Sequence, residues 1–399
     1  MYPYQDPALP VEQRVEDLLS RMTLPEKVAQ TDQYFSGDFT TQDENGRVTA
    51  LDLDRLDRDL QGCSVGSVQL RGMSAAQANA VQRYAVEKTR LGIPFLFSEE
   101  ALHGLYTGTA TSFPQQIGLA ASFDPALGRA MGHAVAAEAR AVGVHETYSP
   151  VMDLIRDPRY GRGEESYGED TCLCAAFARE TVRGLQGDDL TAPDAVAAEP
   201  KHYVGYGMPV GGLNCAPTAM GRHEVFSDCL PVFEAAFKDA GACNAMCSYN
   251  AIDGVPVSMD RELLTDVLRG QFGMPGYVRA DMTAVSRLYD WHFIAETPEE
   301  AIRLGVSAGV DMELYDFPHD VWRGGLERLV RSGKLDESVV DEACRRVLRM
   351  KFRLGLFENP YTDEHRADAV LRCPEHLALA RQIARESIVL LKNEGGLLP

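Results

Sequence analysis

Long apolar runs are missing from this sequence. No stretch of about 18 consecutive apolar residues occurs among its 399 residues, so we expect no membrane-spanning helix. The opening residues Met1–Pro7 also lack the basic and apolar regions of a secretory signal peptide. Taken as written, the sequence predicts a cytoplasmic protein with no membrane partner.

Positive charge is scarce as well. The chain has 39 Lys and Arg against 59 Asp and Glu, which gives a formal net charge of −20 and a pI near 4.9. Nucleic acids and anionic membrane surfaces would repel such a chain, so we expect neither as a partner. The acidity is typical of a soluble globular protein and says little about substrate or oligomeric state.

Motifs for metals, disulfides and phosphate-bearing cofactors are also missing. The nine cysteines are an odd number with no zinc or disulfide spacing, so reduced thiols are expected. His103, His202 and His223 are too scattered to indicate a metal site. No glycine-rich loop opens a helix after a strand, which argues against a phosphate or dinucleotide site. We therefore predict no cofactor and no metal.

What the sequence does contain is an alternation of short apolar runs and helix-like stretches. Strands that alternate with helices imply parallel strands and right-handed crossovers. Seven runs resemble buried strands: Val65–Leu70, Ile93–Phe97, Val142–Tyr148, Ala195–Glu199, Ala242–Tyr249, Gly276–Asp281 and Gly309–Leu314. We therefore predict an α/β fold of the (β/α)8 TIM-like barrel type, with one strand irregular or missed. A doubly wound open sheet fits less well because no GxGxxG motif follows the first strand.

The predicted barrel domain covers residues 1–370. Helices at 10–21 and 25–33 are expected to precede its first strand. We expect residues 371–399 to be a linker and the start of a second α/β domain that is absent from this chain. In that segment a helix over 374–386 and a strand over 387–393 are predicted.

Polar residues collect where the predicted strands end. Asp281 ends the sixth run, and four segments that follow other strands are similarly polar: 98–104, 156–165, 201–207 and 248–250. Barrels of this type place their chemistry at the carboxyl ends of the strands. Carboxylates mixed with Lys, Arg and His suit a ligand dense in hydroxyl groups. Taken alone, Asp281 could instead cap a helix over 283–289; the ring of polar segments favours an active site.

Motifs along the whole chain resemble glycoside hydrolase family 3. In order, they are Met-Thr-Leu-Pro-Glu-Lys at 22–27, Arg-Tyr-Gly-Arg at 159–162 with Tyr-Gly-Glu-Asp at 167–170, Lys-His-Tyr-Val-Gly-Tyr-Gly at 201–207, Gly-Tyr-Val-Arg-Ala-Asp at 276–281, and Ser-Ile-Val-Leu-Leu-Lys-Asn at 387–393. The resemblance implies the N-terminal barrel domain of that family. It also implies retaining, exo-acting chemistry on terminal β-D-glucosyl residues.

The resemblance further implies a role for each matching residue. Asp281 is the expected nucleophile, and Glu165 is expected to support the cations of the site. The expected substrate-binding residues are Glu100, Arg162, Lys201, His202 and Tyr249.

Two positions depart from the family pattern. Most members take their acid/base glutamate from a second domain, so we expect the acid/base to be missing from this chain. A subgroup uses a barrel histidine where this sequence has Tyr206. Met282 stands where an aromatic residue usually forms a wall of the subsite. If an acid exists within the barrel, Glu224 and Glu313 are the first candidates.

Other functions stay open at this point. A β-xylosidase of the same family is the nearest alternative, because residues 98–104 resemble both subtypes. A catalytically impaired sugar-binding barrel fragment is a second alternative. An aldolase would need a Schiff-base lysine, for which Lys201 is the only candidate.

Overall fold

The chain folds as a (β/α)8 TIM barrel. The computed structural model describes residues 2–398. Parallel pairing joins the first five barrel strands in sequence order, and it joins the sixth strand to the seventh. The seven strands are Gln33–Phe35, Ser67–Gln69, Leu96–Glu99, Glu146–Thr147, Ala197–Ala198, Ala245–Cys247 and Val278–Ala280.

Single bridges and backbone hydrogen bonds close the ring. Tyr203, just after the fifth strand, forms a parallel bridge with Cys247 of the sixth. Residues 311–314 take the eighth position, where Met312 bridges Arg279 of the seventh strand. The Glu313 amide then donates to the Thr31 carbonyl, 3.0 Å away, just before the first strand. The eighth strand, predicted as the run Gly309–Leu314, forms a bridge rather than a ladder, and the strand that is absent from the seven predicted runs is the first.

One barrel strand was not predicted, and two segments were assigned wrongly. The first barrel strand, Gln33–Phe35, falls where the helix over 25–33 was expected; the helix ends at Ala29. The helix Pro374–Glu386 is confirmed, whereas residues 388–393 form no strand. Ile388 and Leu391 are largely exposed there, and a strand needs a neighbouring strand to satisfy its backbone groups.

Helices surround the barrel and several begin at the predicted signals. Asp124 and Thr297 cap the helices that start at Pro125 and Pro298. The helices are Val11–Arg21, Leu24–Ala29, Leu53–Leu60, Ala75–Lys88, Gln116–Ala120, Pro125–Ala141, Thr171–Gln186, a continuous helical run over 222–239, Glu262–Gln271, Arg287–Asp290, Pro298–Ala308, His319–Arg331, Glu337–Arg353, Arg366–Val370 and Pro374–Glu386. Two short hairpins pair Thr40–Gln42 with Val48–Leu51 and Ala251–Ile252 with Val255–Pro256. Among residues 2–398, no helix combines the length and apolarity needed to cross a bilayer.

The helices Pro125–Ala141 and Thr171–Gln186 pack backbone to backbone. A Cβ added at Gly184 would lie 2.2 Å from the Arg129 carbonyl oxygen, and one at Gly132 would lie 2.7 Å from the Thr181 carbonyl oxygen. Only glycine permits this approach. These two helices precede and follow the fourth strand, so their close contact fixes its position in the barrel wall.

The interior of the barrel contains charged residues as well as apolar ones. Arg279, on the seventh strand, is fully buried and pairs with both Glu146 and Glu199. The Tyr277 hydroxyl donates to Glu146 as well. Barrel interiors are usually filled with branched apolar side chains, so this ion-paired layer is unusual. It lies one pleat below the residues predicted to form the site.

Candidate active site

Asp281 lies directly after the seventh strand, at the carboxyl end of the barrel. Its side chain is 11% exposed. Oδ1 accepts a hydrogen bond from the Met282 amide at 2.7 Å. Oδ2 is buried and accepts no hydrogen bond from residues 2–398. The described hydrogen bonds include none from the Asp281 side chain to a helix N-terminus, so the alternative role of helix cap is not supported.

The surroundings of Asp281 set its protonation. Burial raises the pKa of Asp281 above the usual range, whereas Lys201, Arg162 and the Tyr249 hydroxyl act to lower it. The same carboxylate, together with burial, raises the pKa of Tyr249. Tyr249 is therefore a neutral hydroxyl facing a carboxylate that two cations help to keep ionised.

Lys201 connects two sides of the site. Its Nζ donates to both carboxylate oxygens of Glu100, at 2.9 Å and 2.7 Å. The lysine is buried, while Glu100 is half-buried. Glu100 follows the third strand and Lys201 follows the fifth. The barrel thus brings together two predicted residues that are 101 positions apart in sequence.

Arg162 is held by a carboxylate in a bidentate pair. Its Nε and Nη2 donate to the two oxygens of Glu165 at 2.8 Å and 2.7 Å. Two parallel N–H···O bonds of this kind fix the guanidinium plane as well as its position. The expectation that Glu165 supports a cation of the site agrees with this geometry.

Arg162 also determines the tautomer of His202. Nη2 of Arg162 lies 3.2 Å from Nε2 of His202, and a guanidinium can only donate. Nε2 is therefore the acceptor, and the ring proton is on Nδ1, which donates to Asp153 at 2.7 Å. Burial lowers the pKa of His202 well below its usual value, and Arg162 and Lys201 lower it further. Nε2 therefore carries no proton for Asp281, 3.5 Å away, which explains why Oδ2 of Asp281 stays without a donor.

Three tyrosines form one side of the site. The Tyr206 ring packs edge-on against His202 at 4.8 Å and against Tyr249 at 5.4 Å, and Tyr160 packs edge-on against Tyr206. The Tyr206 hydroxyl donates to Asn214 and accepts from Nη1 of Arg162. The residue that replaces the family histidine is thus fixed in place by its neighbours.

Two residues of the site were missed by the sequence interpretation. Asp153 orients His202 from a loop after the fourth strand, and Tyr206 supports both His202 and Arg162. Asp153 ends the apolar run Tyr148–Met152, interrupted only by Ser149 and Pro150, much as Asp281 ends its own run. That shared pattern was the available signal.

The two reserve acids lie elsewhere. Glu224 is near Arg156, with 3.6 Å between its Oε1 and the Arg156 Nη1. Glu313 is buried next to the first strand, where the Gln33 and Asp316 amides donate to it. The described hydrogen bonds and ion pairs connect neither of them to Asp281.

Among residues 2–398, one group has potential ligand atoms close enough together to hold a metal ion: Asp32, Glu313 and His319. Both nitrogens of His319 face carboxylates: Nδ1 is 2.8 Å from Asp32, and Nε2 is 3.7 Å from Asp38. Burial alone would lower the pKa of His319, but these two carboxylates raise it to about 9. As described, these three residues and Asp38 form a buried ion-pair cluster.

The barrel and its motifs match a family model. Residues 24–350 match the glycosyl hydrolase family 3 N terminal domain. The chain therefore belongs to glycoside hydrolase family 3.

Among curated proteins, the chain is 37% identical over 401 residues to a putative beta-xylosidase of Formosa agariphila, covering 99% of this chain and 53% of that protein. It is 33% identical to a periplasmic beta-glucosidase of Salmonella typhimurium, covering 96% of this chain and 48% of that one. The chain thus spans about half the length of these relatives.

Solved structures resemble the fold closely. A β-glucosidase from Erythrobacter marinus superposes with a TM-score of 0.92 at 38% identity, covering 99% of this chain and 52% of that one. The β-glucosidase from Listeria innocua in complex with glucose superposes with a TM-score of 0.86 at 35% identity, covering 97% and 53%.

Proposed function

We propose that this chain supplies the barrel of a retaining, exo-acting β-glycosidase that hydrolyses terminal β-D-glucosyl residues. The observation that carries the proposal is Oδ2 of Asp281, a buried carboxylate oxygen with no donor among residues 2–398. An unpartnered buried acceptor costs free energy and persists where it has a function. Lys201 and Arg162 help to keep it ionised.

In the proposed reaction, Asp281 attacks the anomeric carbon. A bond forms between Oδ2 and that carbon while the bond from carbon to the leaving oxygen breaks, and the leaving oxygen takes up a proton. Water then attacks the same carbon and releases Asp281. Two inversions give a sugar with its original configuration.

The charged residues around Asp281 are proposed to hold the sugar. Glu100 would accept from the hydroxyls farthest from the anomeric carbon, while Lys201 would donate to them. Arg162, whose guanidinium plane is fixed by the bidentate pair with Glu165, would donate to ring hydroxyls. His202 has its Nδ1 proton committed to Asp153, so it would act as an acceptor.

We further propose that the proton donor comes from a second α/β domain outside residues 1–399. Retaining enzymes hold their two carboxyl groups about 5–5.5 Å apart. The carboxyl groups around the site are already engaged: Glu100 and Glu165 form ion pairs with Lys201 and Arg162, and Asp153 accepts a hydrogen bond from neutral His202. Relatives about twice as long as this chain support the proposal.

Covalent labelling tests the nucleophile. A 2-deoxy-2-fluoro-β-glucoside with a dinitrophenolate leaving group needs no proton donor, so it should label Asp281 of this chain, as peptide mass spectrometry would detect. Cellobiose, whose leaving group needs a proton, should be hydrolysed poorly by residues 1–399. Label on any residue other than Asp281 would overturn the nucleophile, and full cellobiose hydrolysis would overturn the external donor.

A β-xylosidase is the second candidate, because a relative named putative beta-xylosidase covers 99% of this chain. The two activities differ in whether the pocket near Glu100 has room for a C6 hydroxymethyl group. Comparing the labelling rates of 2-fluoro glucoside and 2-fluoro xyloside decides between them.

Calorimetric binding of glucose without any labelling would instead indicate the impaired sugar-binding barrel. The aldolase alternative predicts trapping of Lys201 by borohydride. The cytoplasmic location stays a prediction.

A further inference from the structure

An exposed apolar surface lies on the segment that follows Asp281. Five large side chains of this segment are between 39% and 80% exposed: Met282, Tyr289, Trp291, Phe293 and Ile294. An apolar cluster beside a polar site marks a place where a ligand or partner binds. The part of it that is connected to the candidate active site is centred on Trp291.

Trp291 is connected to the site through a stack of three side chains. The Arg287 guanidinium lies 5.5 Å from the centroid of the Tyr249 ring and 5.5 Å from the centroid of the Trp291 ring. Tyr249 faces Asp281. The stack therefore leads outward from the proposed nucleophile, and we call Trp291 and Arg287 the aromatic platform.

Hydrogen bonds fix the orientation of the platform. The Trp291 indole N–H donates to the Cys215 carbonyl at 3.1 Å. The neighbouring His292 Nε2–H donates to the Tyr249 carbonyl at 2.8 Å. With its only donor in use, Trp291 can offer a ligand nothing but its ring face.

Arg287 adds a polar group to that surface. The side chain is half-buried, and no described hydrogen bond joins its guanidinium to another group of residues 2–398. Its Nε is buried, so the outer N–H groups are the ones that a ligand can reach. A free guanidinium donor beside an aromatic face matches a sugar ring, which has a C–H face and a rim of hydroxyl oxygens. A purely apolar partner would leave the donor unsatisfied.

We propose that the aromatic platform binds the leaving-group sugar of a β-linked disaccharide, with Trp291 stacking on its ring and Arg287 donating to one of its hydroxyls. This inference rests on the proposed function, in which Asp281 attacks the preceding sugar. Trp291 would then supply the aromatic wall that Met282 does not.

The tryptophan content makes a direct test possible. The chain has two tryptophans, and Trp322 is fully buried whereas Trp291 is 39% exposed. Quenching of fluorescence therefore reports on Trp291. Acrylamide is the suitable quencher, because the net charge of −20 would repel iodide.

The experiment uses the full chain with Asp281→Asn, so that sugars bind without turnover. Laminaribiose should protect Trp291 from acrylamide, and glucose, which fills only the site at Asp281, should not. Trp322→Phe is the matched control, because it removes the buried tryptophan and should leave protection unchanged. Trp291→Ala should weaken laminaribiose binding about threefold to tenfold in calorimetry, with glucose binding unchanged.

Each other outcome contradicts the proposal that the aromatic platform binds the leaving-group sugar. Laminaribiose that binds without protecting Trp291, or glucose that protects equally well, would place the leaving-group sugar elsewhere. A Trp291 that acrylamide does not quench even without sugar would mean that another part of the protein covers it. If neither sugar binds, the proposed function itself fails, and the labelling of Asp281 should fail with it.

Discussion

Two layers of charged side chains lie one above the other inside the barrel, and their hydrogen bonding differs. Alternate residues of a strand point to the same face, so three strands each give one residue to the lower layer and one to the upper. The pairs are Glu146 and Tyr148, Glu199 and Lys201, and Arg279 and Asp281. The Tyr148 ring of the upper layer lies near a cation of each layer, 4.8 Å from the Arg279 guanidinium and 5.9 Å from the Lys201 Nζ.

Every charge of the lower layer has a partner. Arg279 donates to Glu146 and to both oxygens of Glu199, and Asn244 and Tyr277 donate to Glu146. In the upper layer, Oδ2 of Asp281 has none among residues 2–398. Buried ion pairs that are fully satisfied stabilise a single arrangement, whereas an unsatisfied acceptor is available to a ligand. The hydrogen bonding therefore indicates a structural role for the lower layer and a reactive role for the upper layer.

The largest expected effect comes from Asp281→Asn. Labelling by the 2-fluoro glucoside should fall at least about 10³-fold, because the nucleophile is lost. The folded protein should be as stable or more stable. Burial raises the pKa of Asp281, so its ionisation opposes folding; this cost grows as pH rises from the unfolded pKa to the folded pKa and is complete above the folded pKa. Rates by mass spectrometry and urea unfolding at pH 7 measure both.

Asp228→Asn is the matched control for Asp281→Asn. Asp228 pairs with Arg156 away from Asp281, so the labelling rate should not change. If the Asp281→Asn variant were labelled at the normal rate, Asp281 would not be the nucleophile.

Arg279→Met, in the lower layer, should lower stability, whereas Asp281→Asn should not. It leaves Glu146 and Glu199 buried without their cation, which should lower the free energy of unfolding by about 3–5 kcal/mol. A second change, Glu199→Gln, should recover part of the loss by removing one of the two carboxyl groups that are left without their cation. Urea unfolding measures all three proteins.

Arg328→Met is the surface comparison for Arg279→Met. Arg328 pairs with Glu299 at 2.6 Å on the surface, where the two side chains are 59% and 38% exposed, so its loss should change stability by about 0–1 kcal/mol. If the two substitutions lowered the free energy of unfolding equally, the burial of the lower-layer ion pairs would have no effect on stability.

Local sequence signals predicted the helices and the upper layer better than the lower one. Capping residues before prolines, as at Asp124 and Thr297, are local and gave correct helix starts. The first strand was missed because Gln33 is polar and faces a polar interior, where its amide donates to Tyr148. The strand expected after Ser387 had suitable composition, but pairing depends on a partner strand and not on composition.

Long-range pairing limited the site prediction in the same way. Asp281 and Lys201 were found because each ends or follows an apolar run. The contact of Asp153 with His202 spans 49 positions in sequence, and that of Arg162 with Tyr206 spans 44. Spacing alone gave no reason to connect either pair.

A smaller effect is expected on the pH dependence of the upper layer. Labelling needs ionised Asp281, so its rate should fall as pH drops through the folded pKa. Lys201 is the strongest of the groups that lower this pKa. Lys201→Met should therefore move the acidic limb of the labelling rate upward by about 1 pH unit.

Lys27→Met is the control for Lys201→Met. Lys27 also pairs with carboxylates, Glu337 and Asp341, but on the outer helices. Its loss should leave the acidic limb in place. A limb that moves downward with Lys201→Met would show that the lysine does not favour the charged form of Asp281.

The smallest expected effect is that of Tyr206→Phe. The phenylalanine keeps the ring contacts with His202 and Tyr249 and loses only the hydroxyl bonds to Asn214 and Arg162. Of these two bonds only the one from Arg162 involves a proposed substrate-binding residue, and one hydrogen bond contributes about 0.5–1.5 kcal/mol, so the labelling rate should fall about tenfold at most. Slow cellobiose hydrolysis should fall by the same factor. If cellobiose hydrolysis fell far more than labelling, the Tyr206 hydroxyl would be the proton donor, because only the natural leaving group needs one. The donor would then lie within the upper layer and not in a second domain.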